Sequence, residues 1–412
     1  MKYILVIGDG MADNPVEELG GKTPLEYASI PGIDALAAKS EVGRVRNCPQ
    51  GLPPGSDTAI LSIFGADPRQ CYTGRSPLEA AAAGIKLRAG DVSYRCNMVA
   101  LEDADKPFGE KKILSHSGGS VEGEQSIELI TWLFAQPEFR EKAESAGMRV
   151  YPAPSFRHIC VQEKADIKGI RLAPPHDHLG ELAGDYLPSG CDNAGVLTVL
   201  METANRLLQD HPVNSERRKG GKLPANGIWF WAEGTGVELQ SFYEKFGKKG
   251  VVISAVPLCH GIARLSGLEV AQVEGATGEL ETNLEGKVAA ALRAFDDGLD
   301  FAAIHVEAPD ECTHNGDLKG KLQAIEWLDS RVLTPLTQAM DKRGEPYRLL
   351  FISDHKTLTS TRGHDADPVP YMIYDSRRSV GSGLTYCEKS GDMGPDLGEG
   401  ISLMPRLFEL DL

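Results

Sequence analysis

Three apolar runs in this chain each lead straight into a cluster of metal-type ligands. Tyr3-Ile4-Leu5-Val6-Ile7 precedes Asp9, residues 301–306 precede Asp310 and His314, and Leu349-Leu350-Phe351-Ile352 precedes Asp354-His355. Short runs of this kind, bounded by Gly, Pro and Asp, read as strands buried on both faces of a parallel sheet. In an open α/β sheet, chemistry collects beyond the carboxyl ends of the strands. His364 follows the third cluster, so Asp9, Asp310, Asp354, His314, His355 and His364 are candidate ligands for one site. Such a set suffices for two divalent cations with positions left for substrate oxygens. Taken singly, Gly8-Asp9-Gly10 also reads as a plain turn, Asp310 to His314 as a capped helix start, and Asp354-His355 as a cap beside a satisfied histidine. Their coincidence at three strand ends favours the shared site. If the chain turns helical after the second run, Asp310 and His314 stand four apart on one helix face and reach the same ion.

A chain of 412 residues that is 41% hydrophobic can build a substantial core in one large domain or two ordinary ones. Its 43 basic and 59 acidic residues leave a formal charge of −16, which disfavours nucleic acid and anionic membranes as partners. A small anionic substrate then requires a locally positive site, supplied by cations and a few arginines. No apolar run approaches the ~18 residues that cross a bilayer. Met1-Lys2-Tyr3 opens directly into the first strand without a signal-peptide pattern, so a cytoplasmic protein is expected. The 8 cysteines contain no Cys-x-x-Cys pair and read as reduced thiols.

The expected architecture is α/β, a mainly parallel sheet between helices, with a small α+β insertion. Residues 1–90 and 176–412 are assigned to the core and residues 91–175 to the insertion. Within the insertion, alternating stretches at 92–101, 149–152 and 158–162 surround an amphipathic helix over 123–134. Residues 76–84, Ser-Pro-Leu-Glu-Ala-Ala-Ala-Ala-Gly, carry a helix cap, Pro at the first helical position and a terminal Gly. Residues 193–209 read as a helix, residues 228–231, 251–254 and 369–374 as further core strands, and the basic segment 214–222 as a solvated loop.

Gly51-Leu52-Pro53-Pro54-Gly55-Ser56-Asp57-Thr58 supplies a candidate nucleophile. Ser56 stands just before a run that reads as helix, where N–H groups favour an incoming phosphoryl group and the dipole favours an alkoxide. A metal ion lowers the hydroxyl pKa, so no Ser-His-Asp triad is needed. Ser56 also fits a plain helix cap, and Thr58 is the alternative nucleophile.

Several segments together resemble one family. They are Gly8-Asp9-Gly10-Met11-Ala12-Asp13, Leu19-Gly20-Gly21-Lys22-Thr23-Pro24-Leu25, Pro54-Gly55-Ser56-Asp57, Tyr72-Thr73-Gly74-Arg75, Glu307-Ala308-Pro309-Asp310-Glu311 and His364-Asp365-Ala366-Asp367-Pro368-Val369-Pro370. The likeness, to the archaeal-type cofactor-independent phosphoglycerate mutases of the alkaline phosphatase superfamily, extends over nearly the whole chain.

The resemblance implies an alkaline-phosphatase-like core and two divalent metals, commonly manganese and in relatives zinc, magnesium or cobalt, with no need of 2,3-bisphosphoglycerate. Carried over by position, Asp9, Ser56, Asp354 and His355 surround one metal, and Asp310, His314 and His364 bind the other. Ser56 accepts the phosphoryl group of 3-phosphoglycerate, and the freed glycerate reorients and takes it back on its 2-hydroxyl. Such an intermediate needs a closed, dry pocket, for which the insertion is the natural lid.

Arginines suit the substrate's carboxylate and phosphate. Arg75 is the first candidate, then Arg157 with His158, then Arg362, while Lys356 could add charge. The chain departs from the family at Pro257 and His260, where relatives usually carry an acidic and a basic residue, so His260 is a candidate substitute for a phosphate-neutralising lysine. It departs again at Asp354-His355-Lys356-Thr357-Leu358. These departures leave the acceptor open. Some bacterial members have been proposed as homoserine kinases, although this chain has no Gly-x-x-x-x-Gly-Lys-Ser/Thr loop. A phosphomonoesterase would use the same ligands with water as acceptor. Assembly as a homo-oligomer also stays open.

Overall fold

A computed structural model describes residues 1–410. The chain divides into two compact units, Met1–Tyr72 together with the chain from Glu238 onward, and Thr73–Val237.

The first unit is built on an eight-stranded sheet in the order Asp396–Glu399, Glu41–Arg46, Val369–Asp375, Tyr347–Ile352, Lys2–Gly8, Phe301–Val306, Gly250–Ile253, Glu269–Ala271. All neighbours run parallel except those of Val369–Asp375, which is antiparallel to both. The three runs that precede the ligand clusters are thus adjacent, with Lys2–Gly8 in the middle. Its Ile7 lies opposite both His305 and Ile352, so the three parallel strands end together. Ile4, Leu5 and Val6 are fully buried, and burial of each such side chain is worth about 1.5–3 kcal/mol. Helix Leu284–Asp296 packs on Phe301–Val306 and Gly250–Ile253, and helix Leu403–Phe408 on Tyr347–Ile352. Phe408 closes that side edge-on to Tyr3 at 4.9 Å, beside Phe242 and Phe301.

The second unit is centred on Val92–Leu101, which pairs antiparallel with Arg157–Gln162 and with Gly227–Thr235. Met148–Tyr151 extends the sheet beyond Arg157–Gln162, and Ile113–Ser115 pairs with the end of Val92–Leu101. Helices Gly123–Ala135 and Asp192–Leu208 share its apolar core, to which Leu129, Leu133, Leu197, Leu200 and Leu208 contribute.

The boundaries differ from those expected. Residues 176–237 belong to the second unit and not to the main core, because Gly227–Thr235 pairs with Val92–Leu101 and helix Asp192–Leu208 packs on it. Helix Ser76–Ala82 also packs on both of those strands, so the unit begins at Thr73 instead of residue 91. An all-apolar run such as Ile228-Trp229-Phe230-Trp231 signals a buried strand without saying which sheet receives it. The segment 214–222 is not a solvated loop either. Helix Pro212–Lys219 occupies most of it, the buried Asn214 amide donates to the carbonyls of Leu208 and Ala225, and Arg217 donates to those of Gly118, Gly119 and Leu223. The charge pattern there reflects polar groups satisfying buried backbone. All eight cysteines are free. Among the described residues, no helix is long and apolar enough to cross a membrane.

Candidate active site

Asp9 emerges from the carboxyl end of the middle strand and is buried, as are Asp354 and His355 at the end of the neighbouring strand. Asp310 and His314 lie on helix Ala308–His314, which starts directly after the third strand, and their side chains meet at 3.1 Å as a four-residue spacing on a helix allows. His364 comes from the short strand Gly363–Asp365 and sits 2.9 Å from His314 through the two Nε2 atoms and 3.4 Å from Asp310 Oδ1. Ligand atoms of Asp9, Asp354 and His355 all lie within 4.8 Å of one another, and so do those of Asp310, His355 and His364. These are two candidate metal-binding groups sharing one imidazole.

Burial pushes the Asp9 carboxyl well up, reinforced by Asp354 and Asp310. Burial acts the same way on Asp310, but hydrogen bonds from His314 and His364 outweigh it and hold that carboxyl well below the usual range. His314 in turn is raised to about 9 by its bond to Asp310, while burial lowers His355. Asp354 Oδ2 is buried with no hydrogen-bond partner, an arrangement that is costly unless a cation completes it. Each of the three imidazoles is oriented through its far nitrogen: Nδ1 of His314 faces the Arg362 carbonyl at 2.7 Å, that of His364 the Pro54 carbonyl at 3.3 Å, and that of His355 the Thr357 hydroxyl at 3.2 Å and the Lys356 carbonyl at 3.3 Å. Carbonyls in those places accept from Nδ1–H and leave Nε2 available to a cation, the usual support of metal-binding histidine. The donor set of carboxylates, imidazoles and a hydroxyl therefore fits divalent cations.

Ser56 is the first residue of helix Ser56–Ile63, reached through the extended Gly55. Its Oγ lies 3.1 Å from His355 Nε2 and 3.3 and 3.5 Å from the two oxygens of Asp9. The helix is pinned by the buried row Thr58 to Ile63. Thr58, the alternative nucleophile, is fully buried and donates its hydroxyl to the Pro53 and Gly55 carbonyls. Asp57 beside Ser56 is held at 2.5 Å by the Tyr72 hydroxyl.

The second unit holds a separate cationic cluster. Arg95 of Val92–Leu101 forms an ion pair with Glu79, Arg75 approaches the same carboxylate at 3.5 Å, and Arg95 lies over the Trp231 ring at 4.6 Å. Arg157 sits 5.5 Å from the same ring, its Nε buried without a partner, and burial together with Arg95 lowers its pKa to about 10. His176 stands edge-on to Trp231 at 5.0 Å and to His116 at 5.9 Å, and His116 Nδ1 is also buried and unpartnered. In a chain of formal charge −16, three arginines around one glutamate form a local sink for anions.

A family model described as 2,3-bisphosphoglycerate-independent phosphoglycerate mutase matches residues 37–214. A protein of Geobacter sulfurreducens named as a probable 2,3-bisphosphoglycerate-independent phosphoglycerate mutase is 42% identical over 414 residues, covering 99% of this chain and 100% of its own. The chain belongs to that family. A Methanosarcina acetivorans member, named without the qualifier, is 42% identical over 398 residues and 96% of both chains. The solved cofactor-independent phosphoglycerate mutase of Thermoplasma acidophilum is similar in structure, with a TM-score of 0.66 at 26% identity over 99% of each chain.

Within this family member, not every residue singled out from sequence lies where expected. His158 is fully buried in the second unit, with Nδ1 accepting the Ala153 N–H at 3.1 Å and Nε2 facing Ser126 Oγ at 3.2 Å. Both nitrogens are used internally, so it is no substrate ligand; adjacent strand residues point to opposite faces, and Arg157 takes the other one. Arg362 is exposed and meets the site through its carbonyl on His314. His260 is half-buried and turns Nε2 to the Ser254 carbonyl at 2.8 Å. Lys356 reaches Asn14 at 2.9 Å.

Four groups went unnoticed in the sequence. His305, read as part of an apolar run, lies 2.9 Å from Asp9. Lys287, buried on helix Leu284–Asp296, donates to the His305 carbonyl at 2.7 Å and is lowered to about 8 by burial. Thr357 donates to Asp310 at 2.5 Å, and Arg95 anchors the second cluster. A lone imidazole inside the otherwise apolar strand Phe301–Val306 is the available signal for His305.

Proposed function

We propose that this chain interconverts 3-phosphoglycerate and 2-phosphoglycerate without 2,3-bisphosphoglycerate, through a phosphoserine at Ser56. The observation that carries the reading is the Ser56 hydroxyl, 3.1 Å from His355 and 3.3 Å from Asp9, at the meeting point of three strand ends in a chain whose named relatives are mutases.

Ser56 Oγ attacks phosphorus as the bond to the substrate's 3-oxygen breaks, and its proton leaves on the side of Asp9 and His355 while the alkoxide of glycerate is protonated. After glycerate turns, its 2-hydroxyl attacks the phosphoserine and Ser56 is restored, so no water or nucleotide is consumed. The first turn of helix Ser56–Ile63 favours the phosphoryl group at this place. We assign Asp9, Asp354, His355 and Ser56 to one divalent ion and Asp310, His314 and His364 to another, with manganese first and zinc, magnesium or cobalt as alternatives. Bound there, such ions supply the positive charge that lowers the serine pKa and offsets the transferred phosphate. Arg75 and Arg157, with Arg95, are assigned to the substrate's acid groups. As a glycolytic step, the reaction places the protein in the cytoplasm.

Phosphorus NMR on the manganese-loaded protein tests this reading. With 3-phosphoglycerate alone, the 2-phosphoglycerate signal should grow without a matching rise of inorganic phosphate. A dominant phosphate signal would instead mark a phosphomonoesterase, and transfer to homoserine from an added phosphoryl donor, with 3-phosphoglycerate left unchanged, a kinase.

A further inference from the structure

We propose that His305 is a positioning residue that holds Asp9 by one oxygen and so keeps the other for a cation. The inference rests on the metal reading of the site.

His305 is buried on Phe301–Val306, opposite Ile7 and hence beside the exit of the middle strand toward Asp9. Its two nitrogens have different kinds of partner. Nε2 lies 2.9 Å from Asp9 Oδ2, and Nδ1 lies 3.1 Å from Ser254 Oγ. Ser254 Oγ also accepts the Val256 N–H at 3.0 Å. An ionised Asp9 carboxylate can only accept, so Nε2 carries a proton and donates to Oδ2, while the Ser254 hydroxyl, which can donate or accept, supports the ring at Nδ1.

This differs from the three candidate ligand imidazoles. Their Nδ1 atoms face backbone carbonyls, which accept a proton there and leave Nε2 available to a cation. The Nε2 of His305 is instead committed to Asp9. Its work is on the carboxylate. A buried carboxylate with one oxygen engaged by an N–H keeps its plane and presents the other oxygen, whereas a free one can turn or offer both. Asp9 Oδ1 is the oxygen left over, 3.6 Å from His355 Nε2, and Ser56 Oγ lies near both oxygens, 3.5 Å from Oδ1 and 3.3 Å from Oδ2. Lys287 holds the same strand end by donating to the His305 carbonyl.

The test is manganese titration of metal-free protein by calorimetry, with the kinetic constants measured alongside. His305→Leu removes the donor and should weaken binding by about 10- to 100-fold, the usual cost of losing such a partner. His305→Gln, whose amide N–H can reach Asp9, should recover most of that loss, and Ser254→Ala, which removes the Nδ1 partner of His305, should fall between. In the Gln and Ser254 variants the loss should appear in kcat more than in KM, because the substrate's anchors are untouched. Wild-type affinity in His305→Leu would overturn the proposal, and so would a Gln variant as impaired as Leu, which would reduce His305 to a space-filler. If His305→Leu does not fold, the Gln and Ser254→Ala titrations decide alone: equal, unimpaired binding in both would overturn it. No manganese binding by wild type would sink the metal reading and this inference with it.

Discussion

Arg157 and His158 are neighbours in the chain with opposite surroundings. Arg157 leaves an unpartnered Nε beside Trp231, while His158 is sealed among Ser126, Ala153 and the apolar core of the second unit. Burial lowers the His158 pKa from 6.5 to about 4, so the folded state resists its protonation. The sign follows from linkage: between those values the unfolded chain binds the proton and the folded one does not, so the stabilisation is complete above pH 6.5 and is lost as pH falls toward 4. The loss is on the order of 3 kcal/mol for a shift of this size. Urea unfolding of wild type and His158→Gln between pH 7 and pH 4 should show the wild-type advantage shrinking as pH falls. A difference that stays constant would mean that His158 is not the titrating group.

The turn after strand Lys2–Gly8 is the element on which the two candidate metal groups converge. Gly10 has φ of 59°, and a Cβ there would stand 2.3 Å from Thr357 Oγ1 and 2.7 Å from Asp310 Oδ1. Its N–H also donates to Asp354 Oδ1 at 3.0 Å. Only glycine lets the backbone pass between the three ligand-bearing segments at that distance. Gly10→Ala should therefore cost about 1–3 kcal/mol in backbone strain and displace Asp310 through its bond with Thr357. Metal analysis should find depleted protein with an intact far-ultraviolet dichroism spectrum; full metal content would contradict this role. The sequence displayed these strand ends openly, because each run is apolar on both faces and ends in ligands. It concealed His305, whose polarity is absorbed by partners on two other segments, Ser254 and Asp9, that no local pattern brings together. The same limit hid the placement of Gly227–Thr235: pairing with Val92–Leu101 is a long-range choice, and an apolar run fits either sheet.

At the scale of the whole molecule, Asp9, Asp310 and Asp354 are buried within a chain that already carries a formal charge of −16. Cations that neutralise them should stabilise the fold as well as activate it. Chelation should lower the melting temperature and abolish turnover. Manganese at about 100 times its dissociation constant should restore about 2.7 kcal/mol, whereas calcium, which favours many oxygen ligands over imidazole, should not restore activity. Equal rescue by calcium would argue against the histidine-containing sites. The family membership extends over both units, yet in the proposed reaction transfer depends on one hydroxyl, and that is where a single measurement is most decisive. Manganese-loaded protein mixed with 3-phosphoglycerate, quenched within a turnover and mapped by peptide mass spectrometry, should carry phosphate on Ser56, and Ser56→Ala should carry none while retaining its metal. Phosphate on another residue, or full turnover in Ser56→Ala, would contradict serine-borne transfer at this site.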